Sequence, residues 1–232
     1  MNFSVSNDIW ALFPGMLLVV ASVDNLNNVE PNPQLYDELI KTSENTRTNW
    51  GFDDLKQHPF IAAWRENLRR VGVNPGDFPC AIESLCRQVL KGRQLPDINP
   101  VVNFYNMLSV RNVVPVGGWS VDTDNEIHLR LTEAGEPFTA LGKTEPELVK
   151  AGEIAYATEN ALVTRNFVWR QAEHAKITPE TKSAFLIAEI LPEVGRDVAE
   201  RVENEFRTEL ESRFGARVTT GILTEGASTW NA

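Results

Sequence analysis

Between Thr164 and Thr181 the chain reads TRNFVWRQAEHAKITPET, and Arg165, Asn166, Trp169, Arg170, Gln171, Glu173 and His174 fall within ten consecutive positions. Guanidinium groups interleaved with aromatic rings suit a single-stranded nucleic acid, whose phosphates accept from the one and whose bases stack on the other. The same residues also suit a strand with Trp169 in the core and its arginines in ion pairs, and composition alone leaves both readings open. A second concentration of polar chemistry lies in the apolar run NPVVNFYNMLSVRNVVPVGGWSVD, from Asn99 to Asp122. Asn103 and Asn106 interrupt it, and a buried amide must find partners. In the plain reading these are loop backbone groups; in the sharper one the amides line a polar-floored pocket. Gly117 and Gly118 follow, and paired glycines either mark a turn or let backbone come close to a ligand.

Familiar catalytic constellations are missing from the sequence. No serine sits in a G-x-S-x-G setting, and there is no phosphate-binding loop, no G-x-G-x-x-G and no cluster with metal-ligand spacing. His58, His128 and His174 are scattered and read as surface residues. Cys80 and Cys86 lie on nearly opposed faces of one predicted helix, are poorly placed to pair, and read as reduced thiols. An enzyme built from these residues would act on a positioned water through electrostatics, with neither metal nor cofactor.

The elements that must place these groups follow from periodicity. Asn99 reads as the N-cap of a helix with Pro100 in its first turn. Val101, Phe104, Tyr105 and Leu108 share one face of it, widened by Val102 and Met107, so it should lie inside the fold. It ends near Asn112, and Val113 to Trp119 reads as a glycine-marked turn. Upstream, Phe3 to Ser6 and Gly15 to Val23 read as strands and Asn25 to Pro33 as a loop. Pro33 opens a short helix, Thr42 to Asp54 reads as irregular, and further helices start at Pro59 and Pro79 and end at Gly72 and Gly92. Glu83 and Arg87 have the spacing of an i,i+4 ion pair, or of a solvated helix face. After Trp119 the pattern turns to β. Ile127, Leu129 and Leu131 alternate with polar residues, and short strands are expected at 137–141, 153–157, 161–164 and 167–169. A buried strand, Ala184 to Ile190, precedes a long helix from Pro192 to Phe214, a strand from Arg217 to Leu223 and a loose tail from Thr224 to Ala232. Helices that mostly precede the strands argue for an α+β fold rather than a doubly wound sheet.

With 42% hydrophobic and 23% charged residues over 232 positions, and no repeat or linker, the chain reads as a single globular domain spanning 1–232. The longest purely apolar run, near Met16 to Ala21, is far too short for a bilayer, and no basic segment precedes an apolar one at the start. The expectation is a cytoplasmic protein with no membrane partner. The net charge of −10 argues against tight nonspecific nucleic-acid binding, which needs Lys and Arg to displace counterions. No DNA partner is expected, and an RNA partner requires a local basic face.

Several stretches fit one family in order: HPFIAAWRENLRRVGVNP, FPCAIESLCRQVLKG, LPDINPVVNFYNMLSV, VPVGGWSVD, AGEPFTALG and TRNFVWRQAEHAKITPETKSAFLIAEIL, over about Phe52 to Leu191, with FPGMLLVVASVDN near the start. Together they resemble the editing domain of the phenylalanyl-tRNA synthetase beta subunit, formed by its third and fourth modules, in a free-standing version. The resemblance implies a three-layer α+β domain with an unusual β-sandwich and flanking helices. It implies binding of the tRNA acceptor end, hydrolysis of tyrosine wrongly attached to phenylalanine tRNA, and a synthetase as a further partner. Carried over by residue, it implies that Asn106 lines the editing pocket and that Glu173 stands where a glutamate recognises the tyrosine hydroxyl. Gly117 stands where many synthetases carry a pocket histidine, a departure that bears on the tyrosine reaction itself. Gly117, Gly118, Asn166, Trp169 and Arg170 match free-standing members instead. Tyr105 and Trp119 join Asn106, Asn166, Trp169 and Glu173 as candidate substrate contacts, and Arg165, Arg170, Arg87 and Lys91 are the candidate RNA contacts. The Gly117 and Gly118 N–H groups are candidate oxyanion donors, and a buried Glu173 would reject phenylalanine because its own carboxylate would go unpaired. One cleft between the 99–112 helix and the 164–171 segment should collect Asn106, Gly117, Gly118, Trp169 and Glu173. Two other readings keep the fold: a noncatalytic RNA- or synthetase-binding module, and an amino-acid or small-molecule binder. A basic rim drawn from Arg65, Arg69, Arg70, Lys91, Arg93, Arg165 and Arg170 would favour RNA; an acidic mouth would favour the binder.

Overall fold

The structure, a computed structural model, describes residues 1–29 and 32–232. Its centre is an antiparallel sheet in the order β11 (Arg217–Leu223), β2 (Leu17–Asp24), β10 (Ala184–Ile190), β3 (Val116–Ser120). Every residue of β10 is buried, which explains why AFLIAEI lacks the polar alternation of a half-exposed strand. A second sheet runs β12 (Thr229–Asn231), β1 (Asn2–Val5), β4 (Glu126–Leu131), β7 (Ile154–Ala157), with β1 parallel to β4 and the other pairs antiparallel.

Ring contacts fix which faces meet. Phe3 and Tyr156 of the second sheet lie 5.0 Å from Phe185 and 4.8 Å from Trp119 of the first, centroid to centroid. Gly221, two strands from Ile187 in register, opens on the same side, where an added Cβ would sit 2.6 Å from the Trp230 ring nitrogen. On the opposite face Thr220 donates to Glu203 of α6 (Arg196–Phe214), so that helix covers the far side. Three layers result, two sheets and a helical layer, and the fold is α+β. The helix α5 (Pro100–Asn112) runs beside β3 and packs on α2 (Pro33–Thr48), while Phe104 meets Phe214 of α6 edge to face at 5.9 Å. α1 (Asn7–Leu12), α3 (Pro59–Arg70) and α4 (Ala81–Leu90) complete the α-helices among the described residues, with one short 3-10 helix at Leu55–Gln57. Two small hairpins, β5 (Pro137–Phe138) with β6 (Glu147–Leu148) and β8 (Thr164–Arg165) with β9 (Arg170–Gln171), lie over a satellite core of Phe138, Val149, Ala155, Ala157, Leu162 and Ala172.

Several local expectations are corrected. Thr42 to Thr48 is helical: Leu35, Leu39 and Ser43 turn inward at helical spacing, and the polarity is that of an outer face. Val116 to Trp119 is strand rather than turn, the chain having turned already at Val113, which is left-handed with φ 53. Phe167 to Trp169 is turn rather than strand, α6 starts at Arg196 rather than Pro192, and α1 was not foreseen. The tail is not loose: Thr224 bridges Ala227, and β12 pairs with β1, anchored by Trp230 against Phe185 at 6.0 Å. Of the expected 25–33 loop, Glu30 and Pro31 lie outside the described residues.

Candidate ligand cavity between the sheets

A cavity of about 280 Å³ lies where β3, β7 and β10 meet α4, α5 and the 164–171 segment. The two glycines of β3 have different jobs. A Cβ on Gly118 would lie 2.2 Å from a Leu186 methyl and 2.9 Å from the Phe185 carbonyl, so close packing onto β10 requires glycine there. A Cβ on Gly117 would meet nothing within 4 Å; that side faces the cavity, across from Ile187 and Glu189. The ladder also separates their amides. Glu189 N–H donates to the Pro115 carbonyl and Val121 N–H to the Ser183 carbonyl, so the odd-numbered residues of this stretch form the hydrogen-bonded pairs. Gly117 N–H is thereby directed at Ile187, whereas Gly118 N–H points off the free edge of the sheet, and the Gly118 carbonyl accepts from the Gln171 side chain at 3.3 Å. Of the two candidate oxyanion donors, only Gly118 has an amide outside the ladder.

Two residues that sequence reasoning missed lie at the floor. Tyr156 OH donates to Glu189 Oε1 at 2.7 Å, and Glu189 is 4% exposed. Burial pushes the Glu189 carboxyl up to about 8, the Tyr156 hydrogen bond opposing that shift only in part. The Tyr156 hydroxyl is pushed up by burial and by Glu189, and burial likewise raises Tyr105 and the buried Cys80 thiol, so neither phenolate nor thiolate is on offer. Glu189 and Arg170 are the formally charged residues of the lining.

The 164–171 segment closes one wall. Asn166 and Phe167 are both left-handed, with φ 50 and 60; asparagine tolerates this conformation, whereas phenylalanine is strained in it. Three hydrogen bonds hold the turn: Phe167 N–H to the Ile154 carbonyl at 2.6 Å, Tyr156 N–H to Thr164 Oγ1 at 2.9 Å, and Ala81 N–H to the Val168 carbonyl at 2.8 Å. The turn presents Phe167, Val168 and Trp169 to the cavity, with Trp169 edge-on to Phe78 at 4.7 Å. Trp119 donates from its ring nitrogen to the Val163 carbonyl at 3.3 Å and lines the same space.

Tyr105, Asn106, Gly117, Gly118, Trp119, Trp169 and Arg170 therefore converge on one cavity. The two asparagines of α5 divide between the readings: Asn103 bonds the Ile98 amide and Asp97, satisfying the preceding loop, while Asn106 lines the cavity. Glu173 does not join them. Its amide donates to the Thr139 carbonyl, and its carboxylate pairs with Lys176 and accepts from Gly142 N–H at 2.9 Å, contacts that hold its pKa below the ordinary range. Asn166 is buried in the turn but outside the lining. Arg165 is held by Glu153 at 2.7 Å and Glu147 at 2.9 Å, and Arg87 pairs with Glu83 at 2.7 Å. Glu83 is fully buried, and Arg65 grips both its oxygens at 2.7 and 2.9 Å. Lys91 is exposed at the end of α4, away from the lining. The one signal for Glu189 in the sequence was a carboxylate inside an otherwise apolar strand, which must be paired or neutral.

Among the described residues, no group of three or more His, Cys, Asp or Glu could hold a metal ion, and no helix is long and apolar enough to cross a membrane. A family model described as the B3/4 domain matches residues 63–229. No curated protein matches the chain. Among solved structures, an N-terminal fragment of the phenylalanyl-tRNA synthetase beta subunit from Pyrococcus horikoshii is similar, with 12% identity and a TM-score of 0.47. The alignment covers 93% of this chain and 49% of that fragment, so the chain spans about half of it.

Proposed function

The chain belongs to the B3/4 domain family, a domain of the phenylalanyl-tRNA synthetase beta-subunit type, and on that premise we propose that it binds the acceptor end of an aminoacyl-tRNA in the cytoplasm and hydrolyses the aminoacyl ester. One observation carries the reading: a single cavity gathers Asn106, Gly118 and Trp169 beside Arg170, with the Gly117 side of β3 left open for a ligand. The aminoacyl group enters between the aromatic walls. Gly118 N–H and the Asn106 amide are the donors suited to the oxyanion that forms when water adds to the ester carbonyl. The bond from that carbon to the ribose oxygen then breaks, the ribose oxygen takes a proton, and free amino acid leaves. The neighbouring ribose hydroxyl of the tRNA is close enough to its own ester to orient the water.

A noncatalytic tRNA- or synthetase-binding module is the second reading, favoured by a lining with no His, Lys or Cys among the described residues. The two separate in one experiment. The protein is incubated with a panel of mischarged tRNAs, including tyrosyl-tRNA of the phenylalanine acceptor, beside a Gly117→Leu variant whose side chain fills the cavity. Release of amino acid above buffer, lost in Gly117→Leu at unchanged thermal stability, is the expected result. Retention of tRNA without release selects the binding module, and neither release nor retention overturns the proposal.

A further inference from the structure

The cavity contains a carboxyl for which the protein supplies no cation at contact. Tyr156 OH donates to Glu189 Oε1, the Glu189 backbone N–H is a further donor to the carboxyl, and among the described residues no Lys, Arg or His bonds this side chain, which lines the cavity. The groups around this carboxyl that could titrate, Tyr156, Tyr105 and Cys80, are all held neutral by burial. Arg170, the one cation of the lining among the described residues, is exposed. A buried carboxylate without a cation is costly, and it relaxes either by keeping its proton or by receiving a cation from outside.

The walls favour the second course. Tyr105, Trp119, Phe167 and Trp169 line the same cavity as Glu189, and aromatic rings attract cations. A neutral hydroxyl brings one donor and no charge, whereas a primary ammonium brings three donors and the missing charge. We infer that the Glu189–Tyr156 pair anchors a primary ammonium group of the bound ligand. The inference rests on the cavity being the aminoacyl site, and it names what that site grips: the α-ammonium of the aminoacyl ester, or a basic nitrogen on its side chain.

Calorimetric titration of the full chain with three small probes tests it: tyrosine methyl ester, N-acetyltyrosine methyl ester and Nα-acetyllysine methyl ester. Tyrosine methyl ester binding about ten- to hundredfold more tightly than its acetylated form, with the gap closed in Glu189→Gln, is the expected result and assigns the anchor to the α-ammonium. If Nα-acetyllysine methyl ester is the tight binder and Glu189→Gln removes it, the anchor stands and takes a side-chain amine. Equal binding of tyrosine methyl ester and its acetylated form in the unaltered protein, or binding of none of the probes, overturns the inference. The comparison within the unaltered protein holds even where the variant fails to fold. Hydrolysis of mischarged tRNA with no ammonium preference refutes the anchor alone. Ammonium preference without hydrolysis refutes the hydrolytic reading alone.

Discussion

Replacing Glu189 by Gln removes a proton equilibrium and little else, because the Gln side-chain carbonyl still accepts from Tyr156 OH. Burial moves the Glu189 carboxyl from 4.5 up to about 8 in the folded chain. Below the lower value the group is protonated whether the chain is folded or not, and it contributes nothing to the pH dependence. Between the two values the unfolded chain has released the proton and the folded chain still holds it, so stability falls as pH rises. Above about 8 the folded chain carries the buried charge, and the loss is complete and constant. Each unit of the window is worth about 1.4 kcal/mol, so the whole window removes on the order of 5 kcal/mol. The expected outcome is that Glu189→Gln matches the unaltered protein near pH 4.5 and exceeds it by several kcal/mol at pH 9, measured by urea unfolding across that range. Asp124 and Glu136, whose carboxyls are held low by their partners, lend stability that is lost as pH falls. They do so in both proteins and cancel from the difference. A difference between the two proteins that does not change with pH would refute the placement of Glu189 as a buried, proton-holding acid.

Three further outcomes are expected. Arg65→Met removes the guanidinium nitrogen that donates to both oxygens of the fully buried Glu83 and should cost about 3–5 kcal/mol in urea unfolding; a change under half of that would mean that Arg87 alone suffices. Gly118→Ala should destabilise by about 1–3 kcal/mol, because its methyl collides with Leu186 and the Phe185 carbonyl. Gly117→Ala, with open space around it, should stay within about 0.5 kcal/mol in the same urea unfolding. Binding of tRNA should be weak and steeply salt-dependent: Arg170→Ala should flatten the salt slope by about one, whereas Arg165→Ala, already neutralised by Glu153 and Glu147, should leave the slope unchanged in filter binding.

Much of the frame was legible in the sequence because it depends on local pattern. The largely apolar α5 with its Asn99 cap, the alternation of β4, the run of β10 and the glycine closing α6 each carry their own signal within a dozen or so residues. What escaped depends on neighbours distant in sequence. The polar stretch after Thr42 looks irregular until α5 is laid against it. Trp230 looks like part of a frayed end until Gly221 supplies the flat surface on which it rests. The cavity was half legible: Asn106 and the paired glycines stand out as polar or small residues in apolar surroundings, whereas Glu189 stands out only once Tyr156, 33 residues away, is seen to meet it. Arg165 and Arg87 have the composition of RNA contacts, but side-chain type does not reveal that a carboxylate already holds each one.

The pairing of β12 with β1 also bears on when the site comes into being. Tyr156 stands on β7, which is held through β4 to β1, and β1 receives its other neighbour from residues 229–231. During synthesis that last partner leaves the ribosome after everything else in the sheet, and contacts so distant along the chain form slowly. Until then β1 presents an open backbone edge to any passing strand. The wall of the cavity that bears Tyr156 is therefore completed late, and a nascent chain stalled before Thr229 would carry the residues of the site without its finished shape.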